Sequence, residues 1–178
     1  MSRINTPSVA SATGVAAEVF AEIKKAAGKV PNLFAAVGAL NPEALKAVLT
    51  ADAVLAAGNL SAGDREVIKL VVSEIAGCDY CVAAHSLLGK MAGVKPEMLK
   101  QAREGQPTGD ARRDALVHFV RILQQTSGTI SDEAYAAIRA AGYTEAQLVD
   151  IALAIATTTF TNVFNRINDT EIDFPRVA

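Results

Sequence analysis

Residues 61–93 read SAGDREVIKLVVSEIAGCDYCVAAHSLLGKMAG, and two helices meeting at a glycine can be read directly from them. Ser61 and Asp64 have the spacing of a capping box, with Asp where Glu or Gln is usual. The apolar run from Glu66 to Ala76 then continues as a helix to Gly77, a natural stop. Cys78 opens a second helical stretch that ends near Gly93. Nothing here alternates with the period of two that a half-buried strand requires.

The same punctuation extends outward on both sides. Upstream, Thr13 precedes Val15, Val19 and Ile23, an i, i+4, i+8 stripe that Gly28 ends. Pro31-Asn32 opens a short apolar segment, Leu33 to Leu40. Asn41-Pro42 has the form of an N-cap followed by proline at the first helical position, and Gly58 closes that helix. Downstream, Pro96 starts a short helix and residues 105–109 (GQPTG) form the strongest loop signal. Asp110, Ser131 and Thr144 cap three more helices, Thr144 and Gln147 as a full capping box, with Gly128 and Gly142 between them. The tail from Asp169 (DTEIDFPRVA) is acidic and aperiodic, and Pro175 stops any helix there. The expectation is an all-α bundle of seven to nine helices in a single domain spanning 1–178.

Composition agrees. The 178 residues include 34 alanines, no tryptophan and 5% aromatics, which favours helix over strand. With 51% apolar residues and a net charge of -2, the chain has material for a core and is not disordered. Seventeen basic against nineteen acidic residues create no field for nucleic acid or an anionic lipid surface. The most apolar window, Leu148 to Phe164, holds Asp150, Asn162 and four threonines, so it is expected to be a buried helix and not a membrane span. Val9 to Ala17 contains no Leu, Ile or Phe and follows only Arg3, which makes a poor export signal; a cytoplasmic location is expected.

Cys78, Cys81 and His85 are spaced i, i+3, i+7, which gathers them in a helical stripe roughly 60° wide. Cys78 sits at the helix start, where unpaired N–H groups and the dipole favour a thiolate, the species that attacks peroxides and disulfides. His85 lies one turn beyond Cys81, placed to take a thiol proton. Two other readings stay open on the residues alone. The cysteines could be small core residues, or they could join His85 and a carboxylate around zinc, although no second ligand pair follows. A thioredoxin-like fold would need a strand before the CxxC, and none is expected. Asp114 and His118 read as a solvated i, i+4 pair, and Asn162, Asn165, Arg166 and Asn168 as capping and interface residues, with lining the site as the lesser alternative. No nucleotide-binding motif occurs; neither a cofactor nor a metal is expected.

The run from Glu66 through Cys78-Asp79-Tyr80-Cys81 to His85 resembles the alkylhydroperoxidase D-like branch of the carboxymuconolactone decarboxylase superfamily, whose signature is E-x11-C-x-x-C-x3-H. Val30-Pro31-Asn32-Leu33, Leu60-Ser61, Phe164-Asn165-Arg166 and Asp173-Phe174-Pro175 are similar to its peroxidase-related members, and the core of the resemblance covers 40–125. The resemblance implies an all-helical dimer, trimer or hexamer and a cofactor-free thiol peroxidase acting on an organic hydroperoxide or hydrogen peroxide. It implies that Cys81 becomes the sulfenic acid, and that Cys78 resolves it to a disulfide and exchanges with an external dithiol or redox protein. It also brings in Glu66, with His85, as the proton relay. Across a reversal at Gly77, Glu66 lies about 16 Å back and His85 about 12 Å along, similar depths on an antiparallel pair. Helix-terminus physics alone favours Cys78 as the more acidic thiol. A dithiol electron-transfer adaptor needs the same residues, and lactone decarboxylases of the superfamily generally lack the CxxC. Tyr80 stands where the alkylhydroperoxidase D branch proper has histidine, and a phenol is a far poorer base at neutral pH.

Overall fold

The computed structural model describes residues 2–177, and among them it is all-helical, with no strand. After a 3-10 turn at Val9–Ser11 come α1 (Gly14–Ala27), α2 (Asn32–Leu40), α3 (Pro42–Ala57), α4 (Ala62–Ile75) and α5 (Asp79–Met91). The chain continues through α6 (Pro96–Glu104), α7 (Ala111–Gln125), α8 (Asp132–Ala140) and α9 (Glu145–Asn168). The nine helices among the described residues match the upper end of the expected range.

The caps explain most of the boundaries. Asn41, Ser131 and Asp110 each accept backbone N–H bonds at the starts of α3, α8 and α7. Thr144 and Gln147 complete a reciprocal capping box. Ser61 and Asp64 form only half of theirs. Ser61 accepts from the Asp64 N–H, but the buried Asp64 carboxylate turns away to accept from Arg112 and Arg113 on α7.

α4 is the central helix, packed on α5, α6, α7 and α9. Val67, Ile68, Leu70, Val71 and Val72 lose essentially all contact with solvent, which accounts for an apolar run too continuous for a one-faced helix. A second apolar cluster gathers α1, α2 and α3 around the start of α5, and both cysteines lie inside it. α1 and α2 approach so closely that a Cβ on Gly38 would stand 2.5 Å from the Phe20 ring, so Gly38→Ala costs about 1–3 kcal/mol.

α9 corrects one expectation. Its Leu148–Phe164 window is not a buried helix: only 22% of its most apolar stretch is buried, although length and composition would let α9 cross a membrane. Asp150, Asn162, Asn165 and Asn168 face inward, while Val149, Ala152, Ala156, Phe160, Val163 and Ile167 form a solvent-facing apolar stripe. The helix is amphipathic in the reverse of the usual sense, with its polar side chains turned toward the protein.

Candidate active site

The reversal between α4 and α5 builds the site. Gly77 takes φ 63°, a left-handed turn that glycine adopts freely, and a Cβ there would lie 3.1 Å from the Arg166 guanidinium. Arg166 donates to the Ala76 carbonyl and clamps the end of α4. Cys78 is then the N-cap of α5, and Cys81 lies one turn inside it. Each is 2% exposed, both are free thiols, and their sulfurs are 2.6 Å apart. This proximity couples their titration. The Cys78 thiol is shifted down by its hydrogen bond with Cys81 against the opposing effect of burial, with help from the Cys81 backbone N–H and Arg166. Cys81 is shifted up by the same bond, then by burial and the neighbouring charge. Of the two thiols, Cys78 is therefore the one that loses its proton more readily.

Glu66 and His85 meet as their helical depths require, with His85 Nδ1 2.9 Å from Glu66 Oε2 and both side chains about 15% exposed. A carboxylate accepts only, so this contact makes Nδ1 the protonated nitrogen and leaves Nε2 as the basic one. Burial would raise the Glu66 carboxyl, but the bond from His85 and the charges of His85, Lys69 and Arg65 outweigh it and hold Glu66 below its ordinary value. Neither of its sequence neighbours binds it directly. Lys69 pairs with Asp52 at 2.6 Å, and Arg65 caps the Leu60 carbonyl.

Two hollows reach the dithiol, one at each sulfur. The first, of about 240 Å³, has almost wholly apolar walls, including Leu33, Phe34, Val48, Leu88 and Phe174, and reaches both Cys81 and His85. The second, of about 290 Å³, is polar, lined by Arg166, Asp169, Glu171 and Arg176, and reaches Cys78. Tyr80 stands between them. Its hydroxyl accepts from the Leu33 N–H and donates to Asp173, which also binds Lys29. Burial in the first place, and the Asp173 carboxylate with it, keep this phenol protonated, so Tyr80 is a strut and not a base. Phe174 packs edge-on against it, ring centroids 5.4 Å apart.

Several expectations made for other residues need correction. Asp114 does not pair with His118; its carboxylate accepts from the Thr108 N–H and hydroxyl and pins the 105–109 loop to α7. Asn162 and Asn165 are buried and not surface caps: Asn162 accepts from Ser73 on α4, and Asn165 Nδ2 donates to Cys81 Sγ at 3.2 Å. Thr161, one turn before Asn165, lines the chamber with Cys81 and donates its hydroxyl to the Thr158 carbonyl. Asn168 receives the Ile4 N–H and so ties down the N-terminal segment. A signal for these was present: Thr158, Thr161, Asn162, Asn165 and Asn168 recur at helical spacing on the most apolar helix, marking a buried polar face. Among the described residues no group of three or more His, Cys, Asp and Glu could hold a metal ion.

Residues 42–113, from α3 to the first turn of α7, match the carboxymuconolactone decarboxylase family. No curated protein matches the chain in sequence. A peroxidase-related protein from Ralstonia eutropha JMP134, described as an alkylhydroperoxidase AhpD core, superposes with a TM-score of 0.84 at 24% identity, over 97% of this chain and 92% of that one. A peroxidase-related protein from Silicibacter sp. TM1040 gives 0.79 at 23%, over 96% and 91%. The debrominase Bmp8, in a complex with 2,3,4-tribromopyrrole, gives 0.79 at 21%, over 97% and 94%. These findings bear out the resemblance read from the sequence: the dithiol segment matches the carboxymuconolactone decarboxylase family, and the chain has the alkylhydroperoxidase D-like fold.

Proposed function

We propose that the protein is a cofactor-free thiol peroxidase in which the whole chain, 1–178, acts as one helical domain. The observation that carries this reading is the placement of Cys81 and His85 on an apolar chamber, with Cys78 behind Cys81 and Glu66 behind His85. An organic hydroperoxide enters the chamber; hydrogen peroxide is the smaller alternative. His85 Nε2 takes the Cys81 proton, directly or through water, and Glu66 stabilises the imidazolium that forms. The Cys81 thiolate attacks the distal peroxide oxygen, the O–O bond breaks, and the relay returns the proton to the leaving alkoxide. Sulfur loses two electrons and becomes sulfenic acid while ROOH becomes ROH. Cys78 then attacks the sulfenic sulfur, expelling water and closing the disulfide. An external dithiol or redox protein, entering by the polar groove, reduces it by exchange at Cys78.

The second reading, an electron-transfer adaptor, is favoured by that polar groove beside Cys78. Consumption of tert-butyl hydroperoxide with dithiothreitol as sole reductant separates the two. The peroxidase turns over without a partner protein, whereas the adaptor reduces a small disulfide and leaves peroxide untouched. Tribromopyrrole is the control for the chemistry named in one structural neighbour.

The acidic and basic balance supports neither a nucleic-acid nor a membrane partner. The inward-facing asparagines of α9 are bonded within the chain, so we read α9 as soluble and its exposed apolar stripe as the contact between copies in a homo-oligomer. A cytoplasmic setting, which keeps thiols reduced, suits a dithiol that must be reset.

A further inference from the structure

The more acidic sulfur and the one that borders the chamber do not coincide. Cys78 is the more acidic thiol, yet Cys81 is the one that borders the apolar chamber. Once the Cys81 proton has passed to His85 or across 2.6 Å to Cys78, its charge lies in a place where burial penalises an anion. α9 supplies what offsets that penalty. Asn165 is 3% exposed and directs Nδ2 at Cys81 Sγ from 3.2 Å. Thr161, at i−4 on the same helical face, lines the chamber beside Cys81, and its hydroxyl, which donates to the Thr158 carbonyl, works with Asn165 against the rise of the Cys81 thiol. The Oδ1 of the Asn165 amide is buried and has no partner among the described residues. A buried amide with one arm on a sulfur and the other unpaired costs stability, a cost that a role in the chemistry accounts for.

We propose that Asn165, supported by Thr161, is a catalytic residue that holds the negative charge on Cys81 and so selects Cys81 over Cys78 as the sulfur that attacks. The proposal deepens the peroxidase reading and rests on it for the identity of the reaction. Before attack, Nδ2–H donates to the thiolate, and the Thr161 hydroxyl turns to it from the Thr158 carbonyl. After attack the sulfur carries a hydroxyl, and the free Oδ1 is the acceptor for its hydrogen. Asn165 thus serves both ends of the step: an anion that needs a donor, and a sulfenic acid that needs an acceptor.

The test measures ionisation apart from peroxide chemistry. In a Cys78→Ser background, ultraviolet thiolate absorbance against pH reports Cys81 alone. Asn165→Leu is expected to raise the midpoint by about one pH unit or more, and to slow iodoacetamide alkylation of Cys81 at neutral pH about tenfold, the scale of one hydrogen bond to a charged acceptor. Asn165→Asp, equal in shape but a carboxylate without donors, raises it further. Thr161→Val raises it less. Circular dichroism melts identify any variant that fails to fold; if Asn165→Leu does, the Asp and Thr161→Val midpoints decide in its place. Unmoved midpoints in folded variants overturn the proposal whatever the peroxide kinetics. Midpoints that rise in this order, in a protein whose dithiol ignores tert-butyl hydroperoxide, uphold the charge-holding role and overturn the peroxidase reading instead.

Discussion

Cys78 and Cys81 stand a single helical turn apart, yet they face surroundings of opposite kind. Cys81 lies deep on α5 against an apolar chamber, with His85 alongside and the α9 amide at its back. Cys78 lies at the helix cap beside a polar groove and an arginine. The difference teaches how one dithiol can meet two unlike reactants. A hydroperoxide with an organic tail is drawn to apolar walls, whereas a reducing thiol is charged or protein-borne and is met in a polar groove. Acidity and access are also divided: the bond with Cys81 makes Cys78 the more acidic thiol, and the chamber makes Cys81 the sulfur that a peroxide would reach under the proposed function.

The strongest way to break this division is to remove each sulfur in turn. Cys81→Ser is expected to lower peroxide consumption at least about a thousandfold, the scale of losing a covalent nucleophile. Cys78→Ser stops turnover as completely but leaves one oxidation per chain, read by thiol count. Equal single oxidation by the two variants would abolish the distinction. Next come His85→Ala and Glu66→Gln, each expected to slow peroxide oxidation about a hundredfold through the chamber while Cys78 still exchanges with a small disulfide. A parallel fall in both reactions would make Glu66 and His85 structural. Leu88→Trp narrows the chamber at a partly exposed wall and sharpens the comparison. It is expected to slow cumene hydroperoxide about tenfold and hydrogen peroxide little.

The smallest expected effect is on stability against pH. Glu66 has its folded-state pKa below the ordinary 4.5, so its contribution is present above that value and is lost as pH falls through the depressed one. Glu66→Gln is expected to flatten the acid limb of a denaturation profile and to leave its neutral part with a similar slope. An unchanged acid limb would mean that the His85 contact is not made in solution.

How much of this was legible in the sequence depends on the range of the interaction. Helix boundaries come from contacts within one turn, and Asn41, Ser131 and Thr144 are readable from the residues alone because a cap sees only its own helix. Even there Asp64 misleads, since a charge on α7 outcompetes the local box. The Glu66–His85 pair spans nineteen residues across one reversal, which motif spacing can carry. Asn165 reaches Cys81 across eighty-four residues, and Tyr80 reaches Asp173 across ninety-three. No local period encodes such pairs; only the packing of α9 and the tail against α5 brings them together. The family segment at 42–113 likewise contains both cysteines but neither the amide behind Cys81 nor the Phe174 wall.

The most direct measurement is a single turnover with a trap. Reduced wild-type protein and the Cys78→Ser variant are mixed anaerobically with one equivalent of tert-butyl hydroperoxide in the presence of dimedone, then read by intact and peptide mass. The account predicts a Cys78–Cys81 disulfide with no adduct in the wild type, and an adduct on Cys81 in the variant. No adduct on Cys81 in the Cys78→Ser chain, an adduct on Cys78 in the wild type, or thiols unchanged in both proteins would contradict it.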